Sequence, residues 1–272
     1  MSRSLLKCAV GATALAATLA ACAERKTTQP TDPPGASATK PSPPAALVEP
    51  KATTLTTTLT APLETPPHAR TLNVPRAAKP LTPSSEFDVS TWGNAVNTHT
   101  LLDTSGKGAV PVSEARFLWG NGQLYVAFYA GDLDLEVREK AHDGPVWKDD
   151  SVMLSFFTSD GKKRIISASP TGVLADALCP HDAENSSDAR CDLRWESHAR
   201  IAVDYDGTLN KLGDFDEEWT IQFAIPLRSL GAASTAGTRL SFTLNRCDMA
   251  FDGKRACGAW GSNEVPAELV LQ

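Results

Sequence analysis

From Ala115 to Leu271 the chain falls into short runs rich in Val, Ile, Phe and Tyr, and the residues between those runs limit what it can fold into. The runs are Ala115–Trp119, Leu124–Ala130, Ser151–Phe157, Arg164–Ser169, Ala199–Tyr205, Trp219–Ile225, Arg239–Cys247 and Glu268–Leu271. Between them stand Gly120-Asn121-Gly122, Asp160-Gly161, Asp206-Gly207 and Asp252-Gly253, pairs that reverse an extended chain cheaply because Gly and Asn tolerate positive φ. No segment carries a long helical period. Short strands joined by tight turns predict an all-β domain, an antiparallel β-sandwich or jelly roll.

Alternation within the runs supports this. Trp219, Ile221, Phe223 and Ile225 fall on one side of their run, and Thr220, Gln222 and Ala224 on the other. Val152, Leu154 and Phe156 oppose Ser151, Met153, Ser155 and Phe157 in the same way. One apolar face and one semi-polar face is what an antiparallel sheet needs when it covers a core on one side only. The semi-polar face is where a ligand site is expected.

The first 70 residues read differently. Residues 22–70 are rich in Pro, Thr and Ala, have almost no aromatic side chains, and show no apolar period. All six Trp residues lie beyond Arg70. Such a segment cannot bury enough surface to offset its ordering entropy, so a disordered tether is expected, with the folded domain over 71–272. Ahead of it, Arg3 and Lys7 flank the apolar stretch Cys8–Leu19, shorter than the roughly 20 apolar residues that span a bilayer. Residues 1–21 therefore read as a signal peptide. The stretch ends in Leu19-Ala20-Ala21-Cys22, which resembles the lipobox of bacterial lipoproteins. That resemblance implies cleavage before Cys22 and lipidation of its thiol, with acyl chains contributing about 0.8 kcal/mol per buried CH₂ to membrane anchoring. Ala23 in place of Asp favours the outer membrane over inner-membrane retention. An ordinary secretory signal with an incidental Cys22 is the plainer alternative.

The formal net charge of −6 and the lack of a strong basic patch argue against a nucleic-acid partner. The sequence has no nucleophile elbow, P-loop or His-Glu-x-x-His, so a non-enzymatic role is expected, although its many Asp and Glu residues leave a glycosidase pair of carboxylates open.

Several blocks together resemble the family 9 carbohydrate-binding modules and their DOMON-type relatives. They are Ala115–Trp119 followed by Gly120–Phe128, the acidic turn Asp132-Leu133-Asp134, and His142–Val152 with its Trp147-Lys-Asp-Asp150-Ser-Val152 core. Trp219–Pro226, Leu244–Asp248 and Trp260 complete the set. The resemblance covers roughly 72–272 and implies a β-sandwich whose sugar-binding members hold a saccharide between two Trp rings. It makes Trp147 the stacking platform, with Arg164, Gln222 and Asn245 as hydrogen-bonding partners, and puts Met153 where the family signature has Glu. The second Trp has no counterpart in Gly261–Ala267. Calcium, which takes six to eight oxygens, is a further expectation, with Asp132, Asp134, Asp143 and Asp150 as donors. Asp149 and Asp150 have two other readings, as caps at the strand entrance or as solvated charges.

The resulting expectation is a membrane-anchored, non-catalytic saccharide-binding lipoprotein of the cell envelope, supporting polysaccharide capture. Two alternatives stand beside it. One is an interaction or scaffold domain with an envelope protein partner and no remaining sugar site. The other is a haem b electron-transfer domain, with Met153 or Met249 paired to His181 or His198. Export to an oxidising compartment predicts disulfides among the cysteines that remain after Cys8 and Cys22. Proximity selects Cys179–Cys191 around a polar loop and Cys247–Cys257 across the Asp252-Gly253 turn. A zinc site from Cys179, His181 and Cys191 lacks a fourth ligand.

Overall fold

The computed structural model describes residues 71–272 apart from 104, 109, 110 and 214. The expected signal peptide, Cys22 and the tether lie outside the described residues. In chain order the elements are β1 (Thr71–Val74), the short helix α1 (Val89–Trp92), β2 (Val96–Asn97), β3 (Ser113–Gly120), β4 (Gln123–Gly131), a 3-10 turn (Val146–Lys148), β5 (Ser151–Phe157), β6 (Lys162–Ala168), β7 (Leu174–Pro180), β8 (Arg200–Asp206), β9 (Glu218–Pro226), β10 (Arg239–Met249), β11 (Arg255–Trp260) and β12 (Ala267–Leu271).

The strands form two sheets. The larger is ordered β1-β12-β10-β5-β6-β7, with β11 also paired to β10; the smaller is ordered β2-β3-β4-β9-β8. Every pairing is antiparallel except β1 with β12, which is parallel. β10 is long enough to serve two partners on one edge: Arg239–Phe242 pairs with β12 and Leu244–Met249 with β11. The architecture is the expected β-sandwich. Asn121 and Gly122, with φ of 49° and 76°, make the two-residue turn between β3 and β4. Positive φ at both central residues matches the twist of the flanking strands.

The alternation sorts side chains as expected. Val152, Leu154 and Phe156 of β5, Phe242 and Leu244 of β10, and Trp219, Ile221, Phe223 and Ile225 of β9 meet in one core between the sheets. Phe117 stands edge-on to Phe242 at 5.5 Å, so the two sheets interlock through aromatic rings. Removing one such side chain, as in Leu244→Ala, costs about 2–5 kcal/mol through lost burial and the cavity left behind.

Three strands were not expected, β1, β2 and β7, and all three are sheet edges; β11, expected only as the far side of the Cys247–Cys257 hairpin, covers half of one edge of β10. Leu174-Ala-Asp-Ala-Leu-Cys-Pro180 and Arg255-Ala-Cys-Gly-Ala-Trp260 hold few β-branched residues, so they take strand conformation from their partners rather than from propensity. Both expected disulfides form, Cys179–Cys191 and Cys247–Cys257, the second between directly paired residues of β10 and β11.

Candidate functional site

The residues after β4 have no strand of their own until β5, yet their backbone is tightly held. Buried carboxylates accept the N–H groups that a ladder would otherwise satisfy. Asp216 accepts from Leu135 N at 2.6 Å, and Asp149 Oδ2 from Arg138 N and Glu139 N at 2.9 and 2.7 Å. Asp150 accepts from Glu136 N at 2.6 Å and, through its other oxygen, from Met249 N at 2.7 Å. Of the three readings of Asp149 and Asp150, anchoring backbone at the strand entrance matches these bonds.

The anchored segment ends in the 3-10 turn. It drives Val146 into the interior and leaves Trp147 half-buried at the rim of a cleft of about 720 Å³. The floor is the outer face of the larger sheet. Met153 of β5 stands in register with Asn245 of β10 and with Ser167 of β6, flanked by Ser151 and Thr243. Gly258 and Ala259 of β11, then Ser262, Asn263 and Glu264, line another part, with Arg255, Asp103, Glu184 and Asn185 adding to it. Lys163, fully buried beside Phe157, donates to the carbonyl of Ala183 and, at 3.2 Å, to Asn263 Oδ1. One ammonium thus links two loops at the cleft, and burial pushes its pKa down. Strand parity could have found Lys163, Ser167 and Thr243. Asn263, Glu184 and Asp103 belong to the site or its support through loop packing, which leaves no period in sequence.

The expected saccharide set divides. Trp147, Met153 and Asn245 share the cleft. Arg164 does not: it pairs with Phe156 and Leu178, which puts it on the other face of β6 from Ile165. It emerges at the sheet margin, donating to Thr158 and Asp160, and lines a separate depression with Trp195, His198 and Arg228. Gln222 does point away from its strand's apolar set, but β9 belongs to the other sheet. Its amide donates to Glu86 O at 3.0 Å and accepts from Ser84 N at 3.4 Å, holding a loop against the far side of the sandwich.

The expected calcium set divides too. Asp132 and Asp134 converge with Asp248, their donor atoms within 4.8 Å of one another, while Asp143 stands in a different group with His142, Asp176 and Glu196. The first group carries its own cation. Arg246, almost fully buried, donates to Asp132 Oδ2 and Asp248 Oδ1, each at 2.7 Å. Its guanidinium occupies one oxygen of Asp132 and one of Asp248 and offsets part of the charge, so it competes with calcium for this donor set. Burial raises the pKa of Asp132, partly offset by Arg246; burial and the neighbouring Asp132 charge raise that of Asp150 further.

The haem donors are likewise dispersed. Met153 is in the cleft, whose lining has neither His nor Lys. His181 packs on Phe157 at 4.8 Å, His198 lines the Arg164 depression, and Met249 closes β10.

No protein-family model matches the chain, and no curated protein does. Among solved structures, one from Bacteroides uniformis, provisionally described as a carbohydrate-binding protein, superposes with a TM-score of 0.56 at 12% identity. The match covers 74% of this chain and 99% of that one. A family 9 carbohydrate-binding module from Caldicellulosiruptor kristjanssonii, solved with cellotriose, gives a TM-score of 0.49 at 14% identity over 74% of this chain and 93% of that one. At these identities the first likeness establishes the sandwich fold and nothing finer.

Proposed function

We propose that the domain binds a saccharide in the cleft beside Trp147, without turning it over. The observation that carries this is the pairing of a half-buried indole with a recessed floor of Ser151, Ser167, Thr243 and Asn245. The apolar face of a pyranose packs on an indole, and its hydroxyls need partners of the Ser, Thr and Asn kind. The solved structure from Bacteroides uniformis described above carries a carbohydrate-binding description.

With one aromatic wall instead of two, affinity is expected to be modest. Binding of about 4–6 kcal/mol corresponds to a Kd of roughly 0.05–1 mM. We further read the chain as an exported lipoprotein anchored through Cys22, which would hold the cleft at the cell envelope. Metabolic fatty-acid labelling that marks the wild type and not Cys22→Ser tests that part.

One observation favours the scaffold reading instead. The wall across from Trp147 offers Ser262, Asn263 and Glu264, with no second ring to sandwich a sugar. A glycan array probed at millimolar sugar separates the two. Retention of any saccharide class supports the binding reading, and a blank array supports the scaffold.

A further inference from the structure

We propose that His142, Asp143, Asp176 and Glu196 form a zinc site, separate from the cleft and independent of the saccharide reading. His142 and Asp143 come from the segment ahead of Trp147, Asp176 from β7, and Glu196 from the connection into β8. One donor atom from each lies within 4.8 Å of the others. His142 Nε2 is 3.5 Å from Asp143 Oδ2 and 3.5 Å from Glu196 Oε2. Those gaps are long for hydrogen bonds and suit ligands around one ion. Zinc bonds of about 2.0–2.2 Å place neighbouring tetrahedral ligands roughly 3.3–3.6 Å apart.

The independent observation is Asp176. It is 1% exposed, and its Oδ1 is buried without a hydrogen-bond partner. Its other oxygen accepts from Ser197 N at 2.8 Å. Burial raises the pKa of this carboxyl, and the charges of Glu196 and Asp143 add to the effect. A buried carboxylate oxygen with no donor is costly unless a proton or a cation meets it. Among the described residues the ion pairs of Asp143 and Glu196 run only to His142, so no Lys or Arg fills that role. This is the opposite of the Asp132–Asp248 group, where Arg246 does.

The donor chemistry selects the metal. An imidazole with carboxylates suits zinc and related transition ions, whereas calcium prefers an all-oxygen shell. Asp143 is already oriented, since its Oδ1 accepts from Asp176 N at 3.1 Å and its Oδ2 remains for the ion. His142 and Glu196, 51% and 45% exposed, leave the site open to entry.

The test is zinc titration of the purified, untagged chain by calorimetry, with metal analysis after dialysis and hydrogen exchange over residues 139–147. The expected result is one zinc per chain, His142→Ala and Glu196→Gln each weakening binding at least about tenfold, and slower exchange in that segment when zinc is present. Both substitutions are at exposed side chains, so the fold is expected to persist, and circular dichroism checks it. Asp248→Asn, at the Arg246 cluster, is expected to leave zinc affinity unchanged. The proposal is overturned if no zinc binds at micromolar levels, or if His142→Ala and Glu196→Gln bind zinc as the wild type does.

Discussion

The two sheets have the same alternation and opposite outer faces. On the smaller sheet the outward residues Leu118, Tyr125, Ala127 and Ala224 form a second small core with Trp92, against which Leu81 and Phe87 also pack. The capping bond from Ser90 N to Asp88, 2.9 Å, starts the four-residue helix that delivers Trp92, and Gln222 ties down the strand of loop ahead of it. On the larger sheet the outward residues are smaller and more polar, and what covers them stops short, leaving the cleft beside Trp147. The smaller sheet is sealed only around Trp92, since Glu114, Arg116, Tyr129 and Thr220 of the same outer face line an open pocket of about 220 Å³ beside Phe87. The same period-two pattern is therefore closed or left open according to how far the covering segment reaches.

The contrast is tested most strongly by its two Trp residues. Trp92 is 2% exposed within the sealed face, and Trp92→Ala is expected to cost about 3–5 kcal/mol in denaturant unfolding. Trp147→Ala is expected to cost under about 1 kcal/mol, the range of substitutions outside a core. Comparable losses would mean that Trp147 is a core residue and the two faces are alike.

The disulfides come next. Cys179–Cys191 fastens the loop that packs Ala183 onto the outer face of the larger sheet. Replacing both cysteines by Ser is expected to cost about 3 kcal/mol, the loop-closure value for a separation of 12 residues. The Cys247–Cys257 pair, with a separation of 10, is expected to cost nearly the same. Thermal unfolding of the reduced and double-Ser forms checks both.

The third prediction concerns pH. Asp150 is pushed up to about 8 and Asp132 to about 6. A carboxyl whose folded pKa is raised contributes its full stability below the unfolded value, and that contribution is lost as pH rises through the folded value. Stability should therefore decline as pH rises from about 4 towards 8. Denaturant unfolding at pH 5 and pH 8 measures it, and Asp150→Asn should flatten the slope. Half-buried Asp188, held down to about 2 by Arg190, acts below this window.

Gln222→Ala should be milder, about 1 kcal/mol from two lost hydrogen bonds, with no effect on saccharide binding. Calcium should shift the melting temperature least of all, since Arg246 already occupies an oxygen of Asp132 and of Asp248.

How much of this was readable in the sequence follows from where each residue sits. Central strands with strong alternation, such as Ser151–Phe157, were legible to the residue. The edge strands β7 and β11 were not, because pairing imposes their conformation. In the site, parity placed Met153 correctly on the outer face, and it placed Gln222 on an outer face as well. Parity cannot say which sheet a strand joins, so Gln222 was assigned to the wrong side of the sandwich. Arg164 fails for a related reason: its pairing with Phe156 puts it on the face opposite Met153. The metal donors split because Asp143 packs beside Asp176 of β7 and Glu196 of the connection into β8, which the linear spacing from Asp132 does not encode.

The most direct test of the account is a titration of whichever saccharide the array retains against wild type, Trp147→Ala and Arg164→Ala. The cleft reading predicts a wild-type Kd of roughly 0.05–1 mM, unchanged in Arg164→Ala, and no saturable binding by a folded Trp147→Ala. Wild-type affinity in Trp147→Ala, or its loss in Arg164→Ala alone, would contradict the account and move the site to the depression beside Arg164.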